Sequence, residues 1–115
     1  MEPKKPLIDR KLIVDLLYGD ENYVKEFADA SVGSFSEFNE HFREALQTND
    51  EVKLRNAGHK IKPVAQMMHL DYILELYEQS KECINDPDMQ RKTKDLIQEM
   101  DKYCETLLEE LKKLA

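Results

Sequence analysis

Between Val24 and Leu46 the chain reads VKEFADASVGSFSEFNEHFREAL, and its apolar residues recur at intervals of three and four. That spacing places them on one face of a helix. The stripe consists of Val24, Phe27, Ser31, Phe35, Phe38, Phe42 and Leu46. Gly33 falls inside the pattern, where it either interrupts the helix or lets a neighbour pack closely. A helix with such a stripe must bury it against other elements.

Four further segments carry a helical periodicity. A short one runs from Asp9 to Tyr18, before the long helix, and a third helix extends to near His69. Aspartate suits the N-cap position because its carboxylate accepts backbone N–H groups of the first turn. The N-caps that we predict are Asp20, Asp50, Asp71 and Asp86, with Pro87 at the first position of the last helix.

These segments predict an all-α fold, an antiparallel four-helix bundle with a short additional N-terminal helix, in a single domain over residues 1–115. The fourth helix should bury Ile73, Leu76, Tyr77, Ser80 and Ile84, and the last helix Met89, Leu96, Met100, Tyr103, Leu107, Leu111 and Leu114. The largely buried core should include Phe35, Phe38, Phe42, Ile61, Met68, Leu96 and Tyr103.

Composition excludes several classes of function. The formal net charge of −7 over 115 residues argues against nucleic acid as a partner. Apolar runs are too short for a membrane span, and the N-terminal residues lack the apolar core of a signal peptide. Cys83 and Cys104 form no metal-ligand cluster, so we interpret them as reduced thiols. We therefore expect a cytoplasmic, monomeric protein.

The third predicted helix contains an acid-free segment in this acidic chain. From Val52 to Leu70 there is no aspartate or glutamate, although the chain has 24 acidic residues. Its second part reads RNAGHKIKPVAQMMHL and starts at Arg55. The cations of the segment are Lys53, Arg55, Lys60 and Lys62.

A helical wheel at about 100° per residue separates the two faces of this helix. The core stripe consists of Leu54, Ala57, Ile61, Val64, Ala65 and Met68. His59 falls opposite this stripe and should face solvent. The residues within about 60° of it on the wheel are Arg55, Lys62, Pro63 and Gln66. The acid-free segment thus presents a histidine flanked by cations, an amide and a proline ring.

An exposed neutral imidazole can attack a phosphoryl group through a ring nitrogen. Phosphohistidine carries added negative charge, which Arg55 and Lys62 would stabilise and nearby carboxylates would oppose. Gln66 could donate a hydrogen bond to the ring or to a phosphoryl oxygen. The competing interpretation is a basic docking patch with an incidental histidine.

A metal site is the third interpretation, and the spacing of the histidines argues against it. His59 and His69 are ten residues apart with no carboxylate near them in sequence. Glu37 and His41 stand at i and i+4, whereas a di-iron bundle needs Glu-x-x-His pairs on two helices. Because glycine-rich phosphate loops are also missing, we predict no cofactor, no bound metal and no enzyme activity that uses ATP.

The stretch AGHKIKPVAQMMHL resembles the motif of histidine-containing phosphotransfer (HPt) domains, His-x-Leu/Ile-Lys-Gly followed by small residues and a second glycine ten positions after the histidine. His59, Ile61 and Lys62 match at the right spacing, with Ala65 at a small position. The resemblance implies a four-helix bundle in which the histidine carries phosphoryl groups between receiver-domain aspartates, and in which the lysine stabilises the phosphorylated form. It implies receiver domains and a hybrid histidine kinase as partners, with Mg²⁺ only on the receiver.

The sequence departs from the family motif at both glycines. Pro63 stands in place of the first and His69 in place of the second, which concerns the fit of the partner more than the chemistry at His59. Proline also removes an N–H, so we predict a bend in the third helix between His59 and Pro63. The residues that we assign to the chemistry are His59, Lys62 and Gln66, and those that we assign to partner binding are Arg55, Lys60, Pro63, Met67 and His69.

Overall fold

The computed structural model describes residues 6–114, which contain helices and turns and no β-strand. The helices are α1 (Arg10–Leu16), α2 (Glu21–Thr48), α3 (Glu51–Met67), α4 (Asp71–Cys83) and α5 (Gln90–Leu114), and a 3₁₀ turn (Pro87–Met89) precedes α5. The all-α prediction is confirmed. None of these helices is both long enough and apolar enough to cross a membrane.

Aspartate carboxylates begin most of the helices. Asp9 accepts the N–H of Leu12, and Asp50 accepts that of Lys53. Asp20 accepts two first-turn N–H groups. Asp86 starts the 3₁₀ turn, with Pro87 at its first position. The predicted caps at Asp20 and Asp50 are therefore confirmed, whereas Asp86 and Pro87 begin the 3₁₀ turn and not the last helix, which starts at Gln90.

The predicted cap at Asp71 is wrong by one residue. Leu70 occupies the N-cap position of α4 without a side-chain hydrogen bond, and Asp71 is the first helical residue. The reason lies in how α3 ends: His69 has a left-handed φ of 56°, and Leu70 donates its N–H to the carbonyl of Ala65 at 2.9 Å. A second bond runs from the N–H of His69 to the carbonyl of Gln66 at 3.1 Å, which completes a Schellman motif.

Packing joins the four longer helices in pairs. Helix α2 contacts α3 and α5, and α4 also contacts α3 and α5, while α1 lies on α2. The segment before α1 is attached to α5, because Leu7 and Ile8 both donate their N–H groups to the carboxylate of Glu110. Every residue of the predicted core is buried: Phe35, Phe38, Phe42, Ile61, Met68, Leu96 and Tyr103.

Several predictions about the stripes need correction. Gly33 does not interrupt α2, which is continuous from Glu21 to Thr48. No neighbouring residue packs closely on it, because a Cβ built on it would meet nothing within 4 Å. Met89 is exposed, since it belongs to the 3₁₀ turn and not to the face that α5 buries. Phe27, Val64 and Leu114 are partly buried.

Proline 63 lies inside α3 and does not end it. The helix continues from Glu51 to Met67 through this residue. Because proline has no N–H, the carbonyl of His59 lacks the ladder bond that residue 63 would otherwise supply. The bend that we expect at this point stays a prediction.

Candidate functional site

The imidazole of His59 lies on the outer face of α3, opposite the buried stripe, as the wheel predicts. The buried residues of this helix are Leu54, Ala57, Gly58, Ile61 and Ala65. His59 is exposed, and within residues 6–114 its ring makes no hydrogen bond or ion pair. The other assigned residues are all exposed as well: Arg55, Lys60, Lys62, Pro63, Gln66, Met67 and His69.

Carboxylates from outside the acid-free segment neutralise three of its four cations. On the α2 side, Lys60 lies 3.6 Å from Glu37, and Lys53 donates a hydrogen bond to Glu44. The guanidinium of Arg55 lies 2.9 Å from a carboxylate oxygen of Glu51, one turn earlier in α3. The absence of acids from the segment therefore does not produce a uniformly cationic surface.

Lys62 is the exception among these cations. In the described part of the chain, no carboxylate lies within ion-pairing distance of its ammonium group. It stands three residues after His59, so the two side chains are neighbours on the helix surface. The unpaired cation of the segment is therefore the one that the phosphotransfer hypothesis needs.

The pairing of Lys53 with Glu44 changes the pKa values of both groups. The hydrogen bond from Lys53 lowers the pKa of the Glu44 carboxyl, and the Coulombic attraction of the same ammonium adds to this effect. The hydrogen bond from Lys53 to Glu44 raises the pKa of Lys53. Both groups therefore stay charged at neutral pH, and their charges cancel at the α2 edge of the site.

Apolar side chains stand at both ends of the outer face of α3. Val52 is 69% exposed and Met67 is 42% exposed. We assigned Met67 to partner binding but overlooked Val52, although the wheel puts it within about 20° of His59, two turns earlier. This face therefore offers apolar contact area as well as charge.

Tyr77 of α4 is a second residue that the sequence assigned only to the core. It is buried, and its ring lies against Gly58, next to His59. Burial raises the pKa of the Tyr77 hydroxyl, whereas the positive charges of Lys81 and Arg55 lower it. The sequence signal was Gly58 itself, a glycine inside a helix and beside the candidate nucleophile.

The remaining histidine and the cysteines do not assemble into a metal centre. His41 is half-buried on α2, with its Nδ1 atom 3.9 Å from Glu37. Cys83 and Cys104 are free and buried, and burial raises the pKa of the Cys104 thiol to about 12. Among residues 6–114, no three histidine, cysteine or acidic side chains lie close enough together to hold a metal ion.

Comparison with known proteins gives no relative for this chain. No family model matches the sequence, and neither the curated proteins nor the solved structures include a significant match.

Proposed function

We propose that this protein is a phosphocarrier that passes phosphoryl groups between receiver-domain aspartates through His59, downstream of a hybrid histidine kinase. Its helices would form an antiparallel four-helix bundle, with α1 as the short additional helix. One observation carries the proposal. His59 is exposed and has no partner in the described chain. Lys62 follows it by one turn and is the only cation of the acid-free segment without a carboxylate partner among residues 6–114.

The transfer step needs only groups that this surface and the partner supply. A ring nitrogen of neutral His59 attacks the phosphorus of an aspartyl phosphate, a P–N bond forms, and the P–O bond to the aspartate breaks. The aspartate leaves as a carboxylate on the receiver, where Mg²⁺ neutralises its charge. The product is a phosphorylated imidazolium that keeps its N–H on the other ring nitrogen. The reverse reaction on a second receiver completes the relay.

Lys62 and Gln66 have distinct roles in this step. The ammonium group of Lys62 can bend back one turn to a phosphoryl oxygen, and no ion pair in the described chain has to break first. Gln66 lies two turns after His59 and can donate an amide N–H to the same group. Lys60 is held near Glu37, so we assign it to partner contact and not to the phosphoryl group.

The conformation of His69 agrees with the resemblance. This residue replaces the second glycine of the HPt motif, and it adopts the left-handed φ of 56° that favours glycine. The shape of the backbone at this position is therefore one that a glycine would accept readily. Pro63 replaces the first glycine inside a continuous helix, so its ring adds bulk to the exposed face.

The alternative function is a helical interaction module that docks a receiver or another acidic surface and is not phosphorylated. Exposed Val52 and Met67 favour docking, because apolar side chains on a protein surface gain stability when a partner buries them. Docking to an acidic surface receives less support than the sequence suggested, since three of the four cations already have acidic partners.

The deciding experiment is phosphotransfer from a set of phosphorylated receiver domains from the source genome. We expect at least one of them to label the protein, and we expect the His59→Gln variant to remain unlabelled. The label should be acid-labile and base-stable, as a P–N bond requires. Because His59 is exposed, circular dichroism and the melting temperature should stay nearly unchanged in the variant.

His41→Gln is the matched control, because His41 is a partly exposed histidine that lies outside the residues assigned to the site. It should be labelled as well as the wild type. If no receiver labels the wild type, or if His59→Gln is labelled as well as the wild type, the phosphocarrier proposal fails. Receiver binding without labelling would then support the docking module.

A further inference from the structure

The side chain of Tyr77 on α4 lies against Gly58 of α3, next to the candidate site. A Cβ atom built on Gly58 would lie 2.0 Å from Cζ and 2.2 Å from the hydroxyl oxygen of Tyr77. Real side chains do not come so close, so the tip of the tyrosine ring occupies the space of a side chain at position 58. Gly33 of α2 has open space around it instead. Glycine at position 58 is therefore unfavourable for helix α3, but its missing side chain leaves room for contact with α4.

The ring of Tyr77 also contacts a third helix. Its centroid lies 6.5 Å from that of Phe38 on α2, in an edge-to-face arrangement at 63°. The ammonium nitrogen of Lys81, one turn later in α4, lies 5.3 Å from the ring centroid. One buried side chain thus connects α2, α3 and α4 at the level of His59.

The turn of α3 that carries His59 has little support of its own. Gly58 precedes the histidine, and glycine is unfavourable in a helix interior because of its backbone freedom. Pro63 follows, and without an N–H it cannot bond the carbonyl of His59. Contact from a neighbouring helix can supply the order that this turn lacks, and the ring of Tyr77 provides that contact.

We propose that Tyr77 is a positioning residue: its ring holds the His59 turn of α3 in one orientation and so fixes the direction in which the imidazole faces a partner. The ring acts through the backbone at Gly58, and the hydroxyl group is not required. The consequence for transfer rests on the proposed function of His59, whereas the packing itself does not.

Amide hydrogen exchange tests the packing without any partner. In Tyr77→Ala we expect the amides of residues 59–62 to exchange at least tenfold faster than in the wild type, after normalisation to the slowest amides of α2 and α5. Tyr77→Phe should keep wild-type exchange, because it retains the ring. If the acceleration in Tyr77→Ala is uniform over the protein, or if Tyr77→Phe behaves like Tyr77→Ala, the proposal is wrong.

Tyr72→Ala is the matched control for loss of an aromatic ring from α4. Tyr72 packs on Tyr103 and donates a hydrogen bond to Glu99, both in α5. Its removal should leave the relative exchange of residues 59–62 unchanged. Selective acceleration of those amides in Tyr72→Ala would show that any loss from α4 loosens the turn, and it would overturn the specific role of Tyr77.

A double-mutant cycle gives a test that does not depend on exchange, and Tyr77→Leu replaces Tyr77→Ala if the alanine variant does not fold. Gly58→Ala should destabilise the wild type, because the added methyl group meets the ring. In the background that lacks the ring, the same change should be neutral or stabilising. Equal effects in both backgrounds would mean that the ring and position 58 do not interact.

The transfer assay separates this inference from the proposed function. At equal folded concentration, Tyr77→Ala should accept phosphoryl at least fivefold more slowly than the wild type, and Tyr77→Phe within twofold of it. If amide exchange in Tyr77→Ala is faster but the transfer rate is unchanged, the positioning role of Tyr77 is wrong, and the phosphocarrier proposal still stands. A wild type that no receiver labels would refute the phosphocarrier, while the exchange results would still report on the Gly58–Tyr77 contact.

Discussion

The two flanks of His59 on α3 differ in how they meet the neighbouring helix. On the α2 flank, lysines pair with acids: Lys60 with Glu37, which are both exposed, and Lys53 with Glu44, which are both partly exposed. On the α4 flank, the ring of Tyr77 lies directly on the backbone at Gly58. One flank is held by solvent-accessible charge pairs, and the other by close packing.

The α2 flank therefore affects the charge around His59, whereas the α4 flank affects the position of the turn that carries it. Exposed ion pairs contribute little to stability, so the acids of α2 mainly cancel the charge of Lys53 and Lys60. They leave Lys62 as the cation beside His59 without a carboxylate partner among residues 6–114. The α4 flank makes the tighter contact, and it lies at the glycine that immediately precedes His59. The site therefore combines Lys62, a cation without a carboxylate partner in the described part of the chain, with a turn that packs against the ring of Tyr77.

Ile61→Ala should have the largest effect, because Ile61 lies under both flanks and is 2% exposed. Removing its side chain should cost about 2–5 kcal/mol if the core cannot collapse around the cavity. Urea titration monitored by circular dichroism gives the free energy of unfolding. A loss well below 1 kcal/mol would show that the inner face of α3 is not packed as described, and the comparison of its flanks would lose its basis.

The paired variants Lys62→Ala and Lys60→Ala compare the flanks by function. A charge-assisted contact to a phosphoryl group is worth about 1.5–3 kcal/mol, so Lys62→Ala should slow transfer or destabilise phosphohistidine about tenfold or more. Lys60 is already paired with Glu37, so Lys60→Ala should change the rate less than about threefold. Single-turnover transfer from one phosphorylated receiver measures both. Equal losses would mean that the Glu37 pair does not neutralise Lys60.

His69→Gly tests the end of α3 without altering either flank. His69 holds a left-handed φ of 56°, and L-residues pay about 1–2 kcal/mol for that conformation. Replacing it with glycine should stabilise the protein by about 1 kcal/mol in urea titration. Asn85→Gly, in the turn after α4 with a left-handed φ of 65°, is the control, with a smaller gain because asparagine tolerates this region. A stability loss in His69→Gly would indicate that its side chain makes a stabilising contact.

The sequence was sufficient for the features that depend on local pattern. Apolar spacing placed the helices and the core, and the same wheel placed Ile61 inside and His59 outside. The prediction that Asp71 is an N-cap was wrong because α3 ends in a left-handed residue, and α4 then begins one residue earlier than we predicted. The prediction that Met89 is buried was wrong because Met89 belongs to a 3₁₀ turn, in which side chains are spaced around the axis differently from those of the α-helix that follows.

Features that depend on two distant segments could not be read from the pattern. The pairs of Lys60 with Glu37 and of Lys53 with Glu44 join residues of different helices, and nothing local in the acid-free segment reveals them. The contact of Gly58 with Tyr77 has the same origin, since it depends on which face of α4 meets α3. The segment was acid-free in sequence, although its surroundings in space were not.

Acidification should weaken the Lys53–Glu44 pair of the α2 flank and leave the packing of the α4 flank unchanged. This is the smallest effect that we predict. Hydrogen bonding to Lys53 lowers the pKa of Glu44 in the folded protein. A lowered folded pKa means that this carboxylate adds stability above its unfolded pKa, near 4.3, and loses that contribution as the pH falls through the folded value. We therefore expect the wild type to lose slightly more stability than Glu44→Gln between pH 6 and pH 3. The effect should be small because both side chains are still partly exposed and screened by salt.

The raised pKa of Lys53 has the opposite sign and acts at the other end of the pH range. Its contribution is complete below the unfolded pKa of lysine, near 10.4, and is lost as the pH rises through the higher folded value. Urea midpoints at pH 3, 6 and 9 therefore isolate Glu44, because Lys53 stays charged throughout. Glu109→Gln, which removes an exposed acid of α5, controls for the change in net charge. If Glu44→Gln and Glu109→Gln lose equal stability on acidification, the Lys53–Glu44 pair does not contribute to the stability of the α2 flank.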